Sequence, residues 1–469
     1  MVRFFLTMMV GVFIWVASAG AQDPVTSNAV PGGDPLAAFK TEKGLISITK
    51  AAPDVTPVSD YTGDFWNRST AFGDVLGRQK LYEMGITLDA QVTHVLQGVV
   101  SGGPEDGPGS VLGGLLDFGV TFDTAKLGLW SGGLLAADGQ TNWGQTLLRK
   151  SGSISPTNFL ALYPVAGVHD TVLMEYYYVQ ALPNNISAIV GRINAVNFLD
   201  KNRFANDPRN QFSNISMDND PLFGAFVSFS TYAALFDIPV TDWLKIQPAI
   251  FDPDDKPGDY EGTNGIFNRI GTGFQTEFSW KLPGNLDGAL RPVYIYTNKT
   301  AVDLSNADLL PNFVTGQPLP RKFGNSMVHF NFEQYLWKPV PSDDSSKTVR
   351  TASYDFEERG VGIFGRFGWA PDDRNLYNEY ASAGIGGRGV FDCRPYDRFG
   401  AGMYWLKESD ELKDRLEGQL LGDEYGFESF YNFAITPWLT LSGDLQWIKS
   451  GKVGTEDPVV LGLRLNTIF

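Results

Sequence analysis

The chain has 469 residues, a formal net charge of -16, one cysteine and three histidines. The surplus of acid excludes nucleic acid as a partner, since phosphates need a basic face. The single Cys393 excludes an intrachain disulfide framework, and His94, His169 and His329 are too far apart in sequence to suggest a metal cluster, so no cofactor is expected.

Taken in chain order, Arg3, an apolar run over 4–16, and the small-residue sites Ala17-Ser18-Ala19 and Ala19-Gly20-Ala21 read as a secretory signal over residues 1–21. The competing reading is an N-terminal membrane anchor, disfavoured because the run is short. No later window offers about 18 apolar residues free of charge, so no transmembrane helix is expected. Residues 22–62 carry Pro53 and Pro57, which break regular elements, and read as an irregular periplasmic segment. Residues 63–84 read as a short helix with Arg68, Arg78 and Lys80 on a solvated face, before the first strand of a β domain over 63–469.

From Ile86 the chain alternates with period two, which in a strand places one set of side chains on each face. Ile86, Leu88, Ala90 and Val92 oppose Thr87, Asp89, Gln91 and Thr93. Leu116, Phe118, Val120 and Phe122 oppose Asp117, Gly119, Thr121 and Asp123. Phe274, Thr276 and Phe278 oppose Gln275, Glu277 and Ser279. Val328, Phe330 and Phe332 oppose His329, Asn331 and Glu333. Leu439, Leu441 and Leu445 oppose Thr440, Ser442, Asp444 and Gln446. The last run ends on an aromatic: Val459, Leu461, Leu463, Leu465, Thr467 and Phe469 oppose Val460, Gly462, Arg464, Asn466 and Ile468.

A two-faced strand suits hydrocarbon on one side and water on the other, and a closed barrel crosses a bilayer because every backbone group pairs with a neighbouring strand. Such a chain need not be hydrophobic on average, and the mean hydropathy here is -0.13. The expected fold is therefore all-β: a transmembrane antiparallel β-barrel of about 16 strands with short periplasmic turns and long extracellular loops, in a bacterial outer membrane. Long connections are expected near 98–112, 139–168, 195–221, 252–268, 300–323, 370–380, 408–424 and 449–457. Short ones are expected at 124–128, 183–185, 238–241, 283–286, 393–396 and 436–437. Residues 338–359 are long where a short turn is due, so either an insertion sits there or the strand count slips. Around 223–236 the aromatics do not alternate cleanly.

Several ordered motifs carry a family resemblance. GVGIFGRFGWAPDD (360–373), GRGVFDCRPYDRFGAGMY (387–404), FESFYNFAITPWLTLSGDLQWI (427–448) and GLRLNTIF (462–469) follow VGRIN (190–194) and NQFSN (210–214). Together they resemble the carbohydrate-selective porins of the OprB type, from about Asp64 to Phe469. The resemblance implies a sixteen-stranded outer-membrane porin that passes monosaccharides, usually glucose, by diffusion. Cys393 and the long 338–359 connection depart from the pattern.

A sugar in a pore needs hydrogen-bond partners for its hydroxyls, held weakly enough to let it leave. The channel-lining candidates are Asp89, Glu175, Arg192, Arg203, Arg209, Glu333, Arg366, Glu428 and Arg464. Glu175 opposes Met174 and Tyr176; Arg192 opposes Ile189, Gly191 and Ile193; Arg366 opposes Ile363, Phe367 and Trp369; Glu428 opposes Phe427 and Tyr431. Arginine offers five donors on a flat fork and never titrates. The competing reading is an Arg/Glu lining that only satisfies itself. The 195–221 stretch, with Lys201, Arg203, Asp207, Arg209, Asn210 and Asn214, either folds into the lumen, which the resemblance favours, or lies outside in solvent. Trp143 and Trp405 either stack on sugar or belong to the interfacial girdle, the default for aromatics in such proteins.

Small carbohydrates and outer-membrane lipid are the expected partners, with monomer and homotrimer both open. Other classes remain in view. One is the same barrel carrying organic acids. Another is a barrel enzyme built on Ser326 with His329, or Thr93 with His94, although no G-x-S-x-G elbow occurs. A third is a secreted soluble sugar-binding β protein.

Overall fold

A computed structural model describes residues 61, 63–104, 109–161, 171–255, 266–339 and 359–469. The signal over 1–21 and almost all of the 22–62 segment lie outside the described residues. The described chain forms one closed antiparallel barrel in which each strand pairs with its sequence neighbours and the first pairs with the last. The strands are β1 (Ile86–Gly103), β2 (Ser110–Asp123), β3 (Gly133–Gly144), β4 (Thr171–Ala181), β5 (Ser187–Ile193), β6 (Thr231–Pro239), β7 (Leu244–Phe251) and β8 (Gly271–Leu282). They continue as β9 (Leu286–Val302), β10 (Arg321–Trp337), β11 (Gly360–Trp369), β12 (Tyr377–Arg388), β13 (Arg398–Glu408), β14 (Glu424–Thr436), β15 (Leu439–Lys449) and β16 (Glu456–Ile468). Closure runs from Gln91↔Ile468 to Gly103↔Glu456, so no edge is left unpaired.

Alternation in the sequence becomes two faces of the wall. On β16, Leu461 and Leu463 are 48% and 50% exposed on the outside, while Arg464 and Asn466, at the alternate positions that follow, are fully buried inside. His329, Asn331 and Glu333 on β10 and Ser442, Asp444 and Gln446 on β15 are likewise buried, with Phe330 and Leu441 exposed opposite them.

Some local expectations change, and one irregularity finds its cause. The helix predicted over 63–84 is only α1 (Arg78–Glu83), preceded by a single 3-10 turn, because Gly77 takes a left-handed φ of 69° and breaks the run. The long loop expected over 98–112 shrinks to 104–109. Its glycines read as loop, but β1 keeps pairing with β16 through two bulges, and Gly102 (φ 69°) lies where a Cβ would stand 2.1 Å from the Asp457 carbonyl oxygen. The connection near 449–457 is the short link 450–455. In the 223–236 stretch, a 3-10 turn at Pro221–Ala225 precedes β6, which explains the lost alternation.

The long 338–359 connection is an insertion, since β10 and β11 still pair directly; its centre, 340–358, lies outside the described residues.

The interior is not uniformly polar. On β4 to β6 and on β9, the inward side chains Tyr177, Val179, Ile189, Leu235, Val293 and Ile295 are buried. They pack against Phe198, Phe212, Met217, Phe223 and Phe226 from the β5–β6 connection. Each fully buried Phe, such as Phe212 or Phe226, contributes about 1.5–3 kcal/mol relative to exposure. This apolar plug ties the connection to the wall before any polar contact is considered.

Candidate functional site

The β5–β6 connection, 194–230, folds into the barrel and reaches the opposite wall. Asp200 accepts from Arg366 of β11 at 2.8 Å and from the Asp220 N–H at 2.9 Å, and it also meets Asn331 and His329 of β10. His329 sits between two loop carboxylates, with Nδ1 2.9 Å from Asp220 and Nε2 3.1 Å from Asp200. Arg209 pairs with Asp117 of β2 at 2.6 Å. Glu428 of β14 accepts the backbone N–H groups of Ser213 (2.6 Å) and Asn214 (3.0 Å). Arg464 of β16 donates to the carbonyls of Pro208 and Gln211. Locally the loop is shaped by its own caps: the Asn214 side chain accepts from Ser216 N–H, and Asp220 accepts from Leu222 N–H ahead of Pro221.

A second inserted stretch supports the first. Phe159 N–H donates to the Ser213 carbonyl (2.8 Å), and Ile215 N–H donates to the Pro156 carbonyl (3.1 Å). Glu424 of β14 accepts from the N–H groups of Ile154 (2.6 Å) and Ser155 (2.8 Å). The buried charges that hold these two stretches are matched by opposite charges or oriented backbone dipoles, which is what makes their burial tolerable.

Six further charged side chains form a ladder from β6 to β10 and the in-folded loop. Asp237 of β6 lies 3.8 Å from Lys245 of β7, and Lys245 lies 3.8 Å from Glu277 of β8. Glu277 pairs with Arg291 of β9 at 2.6 Å, and Arg291 pairs with Glu333 of β10 at 2.9 Å. Glu333 closes the series on loop Arg203 at 3.4 Å. Sign alternates at every rung. The Arg203, Lys245 and Glu277 side chains stay 37%, 27% and 23% exposed, so their polar heads face water, whereas Arg291 and Glu333 are sealed behind them. Flanking rings at Phe198 and Tyr335 are buried and carry Lys201 and Arg203 over their faces at 5.6 Å.

At the loop end a cavity of about 810 Å³ opens between Val227, Phe229, Asp254, Arg269, Lys299 and Arg321. That falls within the roughly 300–1,000 Å³ of small-molecule sites.

A sixteen-stranded closed barrel with an in-folded connection and an aromatic last residue is matched by a profile described as "Carbohydrate-selective porin, OprB family", over residues 112–469. The chain belongs to this family. A curated relative, "Porin B" of Pseudomonas aeruginosa, is 25% identical over 270 residues, which is 50% of this chain and 56% of the relative, so the match spans about half the relative's length. The high-pH structure of Pseudomonas putida OprB superposes with a TM-score of 0.72 at 20% identity, covering 87% of this chain and 100% of that one. The low-pH structure of the same protein gives 0.52 at 16% identity, over 86% and 99%. These likenesses are of fold. Membership of the family places the chain in the bacterial outer membrane, and in barrels of this class the short turns face the periplasm.

Set against the sequence candidates, the porin's geometry sorts them into three groups. Arg209, Arg366, Glu428 and Arg464 are buried and engaged with the in-folded chain, and Glu175 is buried with Asn194 N–H donating to it. Arg203 and Glu333 belong to the ladder. Asp89 is buried on the inward face of β1, two residues from Gln91, which donates to Asn466 at 2.9 Å.

Arg192 is a correction. It pairs in register with Tyr176 and Tyr232, on the opposite face from Tyr177 and Ala233, which join the interior cluster. Its side chain therefore leaves from the outer face, beside the Tyr232 ring, and reaches Ser230 (2.6 Å) and Asp255 (3.0 Å) at the loop rim. The alternation misleads here because the apolar residues Ile189 and Ile193 face inward onto the plug. Glu175 and Met174 do not oppose each other either: both are buried, across a bulge between Asp138 and Gly139 on the partner strand.

Trp143 and Trp405 both lie on the outer face, Trp143 against His94 (5.5 Å) and Trp405 donating to Asp423 (3.0 Å). Ser326 is on the other face of β10 from His329, so the two cannot form a nucleophile–base pair.

Sequence reasoning missed Asp237, Lys245 and Arg291 in the ladder and Asp200 and Asp220 in the loop. Glu277 was visible as polar-face but not singled out. The signal for Lys245 and Glu277 was a cross-strand pair at one register position, invisible until β7 and β8 are aligned.

Proposed function

We propose that this porin passes small neutral sugars of the glucose class by facilitated diffusion. The observation that carries the reading is the ladder from Asp237 to Arg203. It alternates donors and acceptors along one wall while its net charge stays near neutral. A polyol can exchange water for these groups one hydroxyl at a time. A simple ion finds no single-signed ring to bind. The exposed heads of Lys245, Glu277 and Arg203 are the constriction residues, while Arg366, Arg209, Glu428 and Arg464 hold the loop that narrows the bore beside them. Asp89 of β1 and Glu175 of β4 are buried on other strands, away from the ladder.

Binding must be weak for flux. A millimolar affinity corresponds to about -4 kcal/mol, which a few charge-assisted hydrogen bonds supply. The test is single-channel conductance in a planar bilayer, titrated with glucose and with equimolar gluconate. Half-block of ion current by glucose in the millimolar range, with no stronger block by gluconate, supports the reading. Block by gluconate alone would assign the channel to organic acids instead.

A further inference from the structure

The segment before β1 presents apolar side chains that the barrel does not use. Phe72 and Val75 are 54% and 52% exposed, and Met84, two residues before the outward Ile86, is 50% exposed. The segment is nevertheless fixed. Ala71 N–H donates to the Ile468 carbonyl at 2.8 Å, Trp438 donates through its indole N–H to the Phe65 carbonyl at 2.9 Å, and Phe469 N–H donates to the Ala90 carbonyl at 2.9 Å. The Phe72 ring lies 5.0 Å from the ring of Phe469. Phe469 shares its face of β16 with Leu465, Leu463 and Leu461, the exposed outer stripe. Phe72 thus prolongs the lipid-facing stripe past the end of the strand, and Val75 follows one turn later.

We propose that Phe72, Val75 and Met84 form a membrane-interface foot, seated in the periplasmic leaflet of the outer membrane beside the C-terminal phenylalanine. Aromatic and aliphatic side chains at that depth gain apolar burial while the backbone stays near water. The partner is a lipid surface without regard to headgroup charge. Residues 63–85 hold three acids (Asp64, Asp74, Glu83) and three bases (Arg68, Arg78, Lys80). Two of those bases are already engaged, Arg68 with the Ala71 carbonyl and the Phe65 ring, and Arg78 with the Leu88 carbonyl and the Tyr61 ring. Continuity with the outer stripe, rather than electrostatic attraction, places the foot.

The experiment uses the full chain carrying Cys393→Ser, with one cysteine placed at Val75, Met84 or, as a water-exposed reference, Asp414, each labelled with an environment-sensitive NBD dye. Proteins are folded into phosphatidylcholine vesicles. At 75 and 84, iodide quenching is expected to fall at least about threefold below that at 414, and lipids bearing a shallow doxyl group are expected to quench the dye. The second position guards against a Val75→Cys chain that does not fold. Iodide quenching equal to that at 414 would put the segment in water and overturn the proposal. Protection from both iodide and doxyl would mean that protein covers these side chains, and would overturn it too. Protection that appears only after phosphatidylglycerol is added would contradict the charge-neutral contact. With Phe72→Ser added, iodide access at 75 should rise about twofold.

Discussion

Arg366 of β11 and Asp200 of the inserted loop meet with Nε 2.8 Å from Oδ1, and neither side chain has any exposed surface. The pair joins a wall strand to a segment 166 residues earlier, so its geometry decides where the loop lies. Removing one member of a buried pair strands the other charge, at a cost of about 3–5 kcal/mol. Arg366→Met is therefore expected to loosen the loop and raise single-channel conductance with noisier open levels. Asp200→Asn, which leaves the Arg366 charge buried without its carboxylate and sets an amide among groups that donate to it, Asp220 N–H included, should act in the same direction. Equal conductance in both variants and the parent would show that the loop is held without this pair.

The ladder makes a separate prediction about selectivity. Glu277→Gln removes one negative head that is 23% exposed while keeping its size, and leaves Lys245 and Arg291 in excess. The bore should shift toward anions and glucose half-block should move up by about tenfold or less, since one exposed charge-assisted hydrogen bond is worth roughly 1 kcal/mol. Lys245→Gln should shift ion selectivity the other way. Reversal potentials under a salt gradient read both, and shifts of the same sign in the two variants would contradict the alternating arrangement.

The barrel was legible because a closed sheet needs period-two alternation on nearly every strand, and β1, β10, β15 and β16 display it. Legibility failed where the inward face is apolar. Ile189 and Ile193 on β5 mimic a lipid-facing stripe because they pack on Phe and Leu side chains of the in-folded connection that directly follows β5, and the parity of Arg192 misleads for that reason. Of the site, Arg366, Glu428 and Arg464 stood out by parity. Their engagement with carbonyls and N–H groups of 205–217 could not, because a strand pattern carries no information about which loop enters the lumen.

Outside the wall, Asp373 on the β11–β12 connection predicts an acid response. Hydrogen bonds from Arg374 (2.6 Å) and then Lys322 (2.5 Å) hold its carboxyl down at about 2, below the usual carboxylate range. A carboxylate with a depressed folded pKa adds stability that is fully present above the unfolded value and is lost as pH falls through the folded one. Anchorage of residues 370–376 to β10 should therefore persist at pH 5 and weaken only between about 4 and 2. Hydrogen exchange on that connection measures it. Asp373→Asn should exchange faster at neutral pH and lose the acid dependence, and an unchanged acid dependence in that variant would assign it to another group.

Phe212 offers the sharpest test of the apolar plug. Its ring is fully buried between Phe364 (5.4 Å) and Phe430 (4.8 Å), both on wall strands, and it fills the space that Gly400 leaves on β13. Phe212→Ala should cost about 3–5 kcal/mol, the transfer loss plus the cavity left behind. The neighbouring N–H groups of Ser213 and Asn214 would still hold to Glu428, so the loop should remain inside while its packing loosens. Urea unfolding in detergent micelles measures the stability, and sugar block measures the bore. A large loss of stability with glucose block kept within about threefold is expected, since a threefold change is under 1 kcal/mol. Loss of block together with stability would mean that ring packing, rather than the polar contacts to Glu428 and Arg464, positions the constriction.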